Sequence, residues 1–217
     1  MKKEILCYGD SNTWGYMPGG MGRYGENVRW TGVLQNLLGD GYHVQENGIN
    51  GRTTAFDDPE FLCRNGLEGI GYALTSGKPF DLVAVMLGTN DLKFVTANRS
   101  AAGAKLLIET LQAANEKFPG STPVFRDEVR ILLISPIEIG GNALSEGDYF
   151  DMEQSRLFAA EYEAIAREMH VHFLDAAKVA SPCPMEGTHM LPEGHAALAK
   201  AVAEKVRDIL ENNAAAL

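Results

Sequence analysis

Cysteine is scarce in this chain: Cys7, Cys63 and Cys183 are the only three in 217 residues. Odd in number, far apart and without metal-like spacing, they predict free thiols rather than a disulfide framework. Positive charge is also short, with 19 Lys and Arg against 29 Asp and Glu and a formal net charge of -10. That balance argues against capturing polyanions by bulk electrostatics, so no nucleic-acid partner is expected. No apolar run is long enough to span a bilayer, and no membrane partner is expected. Met1-Lys2-Lys3 opens like a signal peptide, but Glu4 and then Gly9-Asp10 interrupt the apolar run before an h-region forms. The expectation is a cytoplasmic protein. Internal repeats and low-complexity tracts are missing, and neither a P-loop nor a G-x-G-x-x-G follows the first apolar segment. A phosphate or nucleotide binder is therefore the weakest reading, and no cofactor is expected.

What is present suits one domain, 1–217, with a full core: 45% of residues are hydrophobic and 22% charged. Apolar runs at 4–8, 82–87, 131–134 and 171–174 lack in/out alternation, which predicts parallel strands buried on both faces. A weaker run at 43–46 ends in Asn47-Gly48. Helical periodicity covers 28–38, 67–75, 101–117, 150–169 and 193–212, and the last two have the most regular return of apolar residues. Strand and helix alternate throughout. The predicted fold class is α/β, a three-layer α/β/α sandwich around a mostly five-stranded parallel sheet. Glycine and proline cluster in 16–25, 136–147 and 181–187, each joining a strand to the next helix. In such a sheet the loops at the carboxyl ends of the strands build the ligand site. Residues 212–217 read as a fraying tail.

The first of these loops carries Gly9-Asp10-Ser11-Asn12-Thr13-Trp14-Gly15. A serine at the exit of a buried strand is where an α/β enzyme mounts a nucleophile; the competing reading is a helix cap by Asp10 or Ser11. Glu186-Gly187-Thr188-His189 lies before the last helical segment. Imidazole suits a general base because its unperturbed pKa is near neutrality, and Glu186 is spaced to orient the ring of His189. The alternative is a plain surface loop. His195 is a rival base whose place at a helix start favours capping or packing. His170 and His172 form an H-x-H pair without a third ligand at a recognisable spacing, so no metal is expected. His43 has no chemical context. Asn47 to Thr54 holds two glycines that let backbone amides face a ligand. Leu87-Gly88-Thr89-Asn90-Asp91 offers the Asn90 amide, although either segment alone is also a plausible plain turn. Four successive strand ends thus supply a hydroxyl, backbone amides, an asparagine and a Glu/His pair, which together point to a hydrolase.

Gly9-Asp10-Ser11, Gly51, Gly88-Thr89-Asn90-Asp91 and Glu186-x-x-His189 occur in the order found in the SGNH hydrolases, or GDSL esterases, which the chain resembles over nearly its whole length. With Arg29-Trp30-Thr31-Gly32-Val33-Leu34 and Gly51-Arg52-Thr53-Thr54, it is similar to a bacterial branch of arylesterases, carbohydrate acetylesterases and an acyltransferase. The resemblance implies a flavodoxin-like sandwich with Ser11 as nucleophile, His189 as base and then acid, and Glu186 as orienting carboxylate. It also implies an oxyanion hole from the Ser11 and Gly51 N–H groups and the Asn90 side chain. The implied substrate is a small-molecule ester of short, acetyl type, with water or an alcohol accepting the acyl group, and a homo-oligomer is expected from the branch. One departure stands out: the family usually has aspartate where this chain has Glu186. Asp175 and Glu193 are outside candidates for that role, and a non-catalytic binding protein on the same fold is the alternative function. Trp14 and Met190 are expected to shape a small acyl pocket, with a core aromatic as the other reading of Trp14. The loop 16–25 and the insert 138–149 are expected to wall the site or meet a neighbouring subunit.

Overall fold

The structure, a computed structural model, describes residues 1–141 and 151–211. Strands β1 (Lys3–Gly9), β2 (Tyr42–Gly48), β3 (Leu82–Met86), β4 (Ile131–Ser135) and β5 (His172–Asp175) form one parallel sheet in the order β2-β1-β3-β4-β5. The helices are α1 (Ser11–Trp14), α2 (Trp30–Leu38), α3 (Gly66–Gly77), α4 (Ala97–Gln112), α5 (Ala114–Lys117), α6 (Met152–Ser155), α7 (Phe158–Glu168) and α8 (Pro192–Glu211). The pleat sorts the apolar strand residues into two cores. Leu6, Tyr8, Val83, Val85, Ile131 and Leu133 pack with α3, α4 and α7 on one face. Ile5, Cys7, Leu82, Ala84, Met86, Leu132 and Ile134 pack with α2 and α8 on the other. Both faces are covered, which is why these runs show no alternation in the sequence. On α8, Leu198, Val202, Val206 and Ile209 are fully buried or nearly so, each contributing about 1.5–3 kcal/mol by leaving water. Strand β2 has no fully buried residue; as an edge strand it carries the weak pattern seen at 43–46.

Two helical segments differ from their sequence periodicity. Helix α4 begins at Ala97, one turn before the expected 101, because the Ala97 N–H donates to Gln154 Oε1 at 2.8 Å from α6. A cap supplied from so far along the chain leaves no local signal. The segment expected as one helix over 150–169 is two within the described residues. Leu157 N–H turns back to the Gln154 carbonyl at 3.0 Å, while the buried Ser155 hydroxyl donates to its own turn at Met152 and accepts the Ile139 N–H at 3.0 Å. A serine bonding back into its own turn commonly bends a helix. Phe150, residues 142–149 of the expected insert and the tail 212–217 lie outside the described residues.

Register places the site. Gly9 at the end of β1 is level with Gly48 of β2 and Met86 of β3. Three loops therefore leave the sheet side by side, where the chain steps out from β1 to β2 and then crosses back to β3. Such a reversal of strand order opens a crevice at the carboxyl edge. Two glycines allow the close packing there. A Cβ on Gly48 would stand 2.2 Å from the Trp14 nitrogen, so α1 can settle against β2 only without one. Gly88 has φ +137°, and a Cβ on it would meet the Tyr162 hydroxyl at 2.2 Å, so both its conformation and its space require glycine.

Candidate active site

Ser11 is the first residue of α1, and the adjacent Asp10 supplies the cap: its Oδ1 accepts the Asn12 N–H at 2.9 Å. The capping and nucleophile readings are thus met by neighbouring residues, which leaves the Ser11 hydroxyl available. His189 Nε2 lies 2.9 Å from Ser11 Oγ, and His189 Nδ1 lies 2.5 Å from Glu186 Oε1. Glu186 is buried and its second oxygen accepts the N–H groups of His189 (2.7 Å) and Thr188 (3.1 Å). Burial alone would raise the Glu186 carboxyl, but the bond to His189 and the two backbone donors bring it below its ordinary range. The extra methylene of glutamate is taken up by this fold-back onto its own turn. Asp175 is engaged elsewhere, accepting from Ala177 N–H (3.0 Å) and Ser135 hydroxyl (3.3 Å), and Glu193 is exposed on α8.

The second and third loops are locked together beneath Ser11. Asn90 Nδ2 donates to the Arg52 carbonyl at 3.1 Å, next to Gly51, which has a φ of +77° and lines the cleft. Arg52 is folded inward, with its guanidinium 3.9 Å from the centre of the Tyr8 ring and hydrogen-bonded to the Gly9 and Asn47 carbonyls. Buried Asp91 accepts from Thr54 N–H (2.8 Å), Thr54 hydroxyl (2.5 Å) and Ser100 hydroxyl (2.7 Å). Burial pushes its carboxyl up to about 6 against the pull of those donors, and burial likewise pushes Asp10 up to about 6. The Ser11 N–H heads a helix, a position without an intrahelical acceptor. The N–H groups of Ser11 and Gly51 and the Asn90 amide belong to loops that converge on one cleft of about 330 Å³, lined also by Tyr16, Asn50, Asp58, Phe61, Arg64, Lys93, Thr188 and His189.

Trp14 and Met190 do not line that cleft. Met190 is fully buried with α8 and β4. Its N–H is held by Asn12 Oδ1 at 3.0 Å, and residues adjacent on an extended segment face opposite ways: His189 takes the cleft and Met190 the core. The expected acyl-pocket role of Met190 is therefore withdrawn. Trp14 is half-buried under the guanidinium of Arg23, 4.8 Å from its ring centre, one layer behind Tyr16. It is neither an acyl wall nor a core aromatic. Tyr16 is the aromatic that reaches the site, with its ring centroid 4.4 Å from that of His189. Asn12 was missed as well. Its side chain accepts from Met190 N–H and donates to the Thr188 carbonyl at 3.1 Å, bracketing His189 and tying its loop to the Ser11 helix. Its place beside Ser11 was the available signal, but its partners are remote in sequence. His170 has φ +54° and precedes β5, so His170 and His172 do not share a strand face. Among the described residues no group of three His, Cys, Asp or Glu side chains is gathered to hold a metal. His43 pairs with Glu4 at the surface.

His195 is buried on the first turn of α8. Its Nδ1 accepts the Trp30 N–H at 3.3 Å, which puts the proton of the neutral ring on Nε2. Burial, reinforced by the positive charge of His189 and Arg29, pushes its pKa down from 6.5 to about 4. A depressed histidine contributes stability that is complete above the unfolded pKa and drains away as pH falls through the folded one. Between pH 6.5 and 4 that amounts to about 3 kcal/mol at most. Asp10 and Asp91 act oppositely: raised to about 6, they contribute stability that is present below pH 4 and lost as pH rises through 6. Comparing Tm from pH 7.5 to 4.5 should show His195→Gln starting below the parent and closing the gap as pH falls. Parallel curves would assign the acid loss to other groups.

The model of the GDSL-like Lipase/Acylhydrolase family matches residues 7–197. A carbohydrate acetylesterase family member from Sinorhizobium meliloti is 36% identical, with 96% of this chain and 99% of that one covered and a TM-score of 0.88. A native aryl esterase of M. smegmatis is 34% identical, with 96% and 100% covered and a TM-score of 0.88. Est24, a carbohydrate acetylesterase from Sinorhizobium meliloti, is 33% identical, with 96% and 100% covered and a TM-score of 0.88. Comparison with curated proteins returned no match. A family match over residues 7–197 and neighbours of this identity on the same fold have one consequence: the chain belongs to the GDSL-like lipase/acylhydrolase family and is a serine ester hydrolase.

Proposed function

We propose that the chain hydrolyses small, short-acyl esters through an acyl-Ser11 intermediate. The observation that carries the reading is the continuous path from Ser11 Oγ to His189 Nε2 at 2.9 Å and from His189 Nδ1 to Glu186 at 2.5 Å. His189 Nε2 takes the Ser11 proton as Oγ bonds to the ester carbon, and returns it to the departing alkoxide. Glu186 holds the ring tautomer and the imidazolium charge. The Ser11 and Gly51 N–H groups and the Asn90 amide receive the developing oxyanion; each such donor typically contributes about 10²- to 10³-fold in rate. Water, activated by His189, then releases the acid and restores Ser11; an alcohol taking its place gives a new ester.

Short acyl chains are supported by the size and lining of the cleft. Its volume of about 330 Å³ lies near the lower end for ligand sites, and Phe61 is the large purely apolar side chain on its wall. The names of the relatives, an aryl esterase and carbohydrate acetylesterases, agree with acetyl esters as the first substrates to test. A series of aryl esters from acetate to octanoate, run beside acetylated sugars, should give the highest kcat/KM at two or three carbons and a fall of about tenfold or more beyond butyrate, since each buried methylene without space costs rather than contributes. A maximum at octanoate would overturn the short-acyl reading. Adding a primary alcohol and measuring the new ester against free acid reads the partition between water and alcohol. We propose a cytoplasmic homo-oligomer; size measurement in solution tests the assembly, and cell fractionation tests the location.

A further inference from the structure

The loop before α3 brings Arg64 into the cleft, where no carboxylate among the described residues answers its charge. Arg23 and Arg29 both pair with Glu46, and Arg52 has its donors filled by the Gly9 and Asn47 carbonyls. Arg64 is different. Its Nη1 makes a long 3.4 Å bond to the Leu62 carbonyl and its guanidinium lies 5.8 Å from the Phe61 ring centre. No carboxylate among the described residues stands within ion-pairing reach of it. Asp58, which shares the cleft, spends Oδ1 on the N–H groups of Glu60 and Phe61. A guanidinium on a half-buried residue, with no carboxylate partner among the described residues, is suited to a planar anion supplied by a ligand.

Position decides which part of an ester would carry that anion. Arg64 Nε lies 3.2 Å from where a Cβ on Gly51 would stand, so the guanidinium rests against the proposed oxyanion donor. The alcohol oxygen has to face His189, which must protonate it, and Tyr16 occupies that side. The group that can approach Arg64 is the acyl chain. We propose that Arg64 binds a carboxylate at the far end of the acyl group, so that half-esters of short dicarboxylic acids are preferred substrates. The inference rests on the acyl-serine reading above. For monomethyl succinate, Ser11 Oγ bonds to the ester carbon as the bond to methanol's oxygen breaks, and water then cleaves the acyl-serine to give succinate, methanol and the original Ser11.

The test compares monomethyl succinate with methyl 4-methylpentanoate, a neutral ester of the same shape, on the full-length protein. The parent should favour the half-ester by at least about tenfold in kcat/KM, mostly through KM, and the preference should shrink as salt rises. Arg64→Gln should collapse the ratio towards one and Arg64→Lys should restore part of it. Because the readout is a ratio within each variant, a general loss of folding or activity does not imitate it. A parent ratio near one, or a ratio unchanged in Arg64→Gln, overturns the inference. So does an equal fall in kcat for both esters, which would make Arg64 part of the oxyanion site. A charge preference seen with 4-acetoxybenzoate over its methyl ester, but absent with the half-ester, moves the anion to the alcohol side and also overturns it. Turnover of aryl acetate by Ser11→Ala would instead defeat the acyl-serine reading, so the two failures are told apart.

Discussion

Replacing Ser11 with alanine is expected to lower kcat for aryl acetate by roughly 10⁵- to 10⁶-fold while leaving the fold in place. The size follows from the loss of the nucleophile: without Oγ no acyl-enzyme forms, and the oxyanion donors can assist only direct attack by water. The fold should tolerate the change because among the described residues the hydroxyl bonds to His189 alone, whereas α1 is capped by Asp10 and tied to the His189 loop by Asn12. A Tm shift equivalent to no more than about 1 kcal/mol is expected, the net worth of one hydrogen bond. His189→Ala should cost nearly as much, and the double variant little more than either alone, because residues acting as one unit lose the same step. Stoichiometric labelling by an organophosphonate should disappear in Ser11→Ala. Parental turnover by that variant would remove Ser11 from the mechanism and revive the binding-protein alternative.

Ser11 and Asn90, two parts of this site that could be read from the sequence, share a property: each lies just after a strand buried on both faces. The run 4–8 announces β1, and Ser11 follows within three residues; 82–87 announces β3, and Asn90 follows. Where a segment depends on remote partners, the reading weakens. The first turn of α4 needs Gln154, and the spacing of Ser11 and His189 is held by Asn12 across most of the chain. Met190 was misplaced for a more local reason. Proximity in sequence to His189 suggested proximity in the cleft, but Pro182 and Met190 form a bridge in extended backbone, where successive side chains alternate in direction. Tyr16 rather than Trp14 reaches the imidazole because α1 ends at Gly15, in the left-handed conformation at φ +87°, and redirects the chain. Asp58, Phe61 and Arg64 come from a loop with neither periodicity nor motif, so only the folded chain brings them to the cleft.

Glu186 provides the second large effect, and it bears on the family departure. Glu186→Ala and Glu186→Gln are each expected to lower kcat by about 10³- to 10⁴-fold with little change in KM. The carboxylate does two things in this structure: it accepts from His189 Nδ1, and it accepts the N–H groups of Thr188 and His189, which fix the turn carrying the ring. Alanine removes both. Glutamine keeps an oxygen for the backbone but presents an amide N–H to Nδ1, which favours the tautomer whose proton sits on Nε2 and cannot accept from Ser11. Glu186→Asp separates the two functions. One methylene shorter, it can reach Nδ1 only by loosening its hold on the backbone, so a change within about tenfold is expected if the imidazole contact dominates, since that contact alone sets tautomer and charge. Should Glu186→Asp fall as far as Glu186→Ala, the backbone grip would be the essential function and glutamate a requirement of this turn. Should Glu186→Ala keep parental kcat, no carboxylate at 186 orients His189.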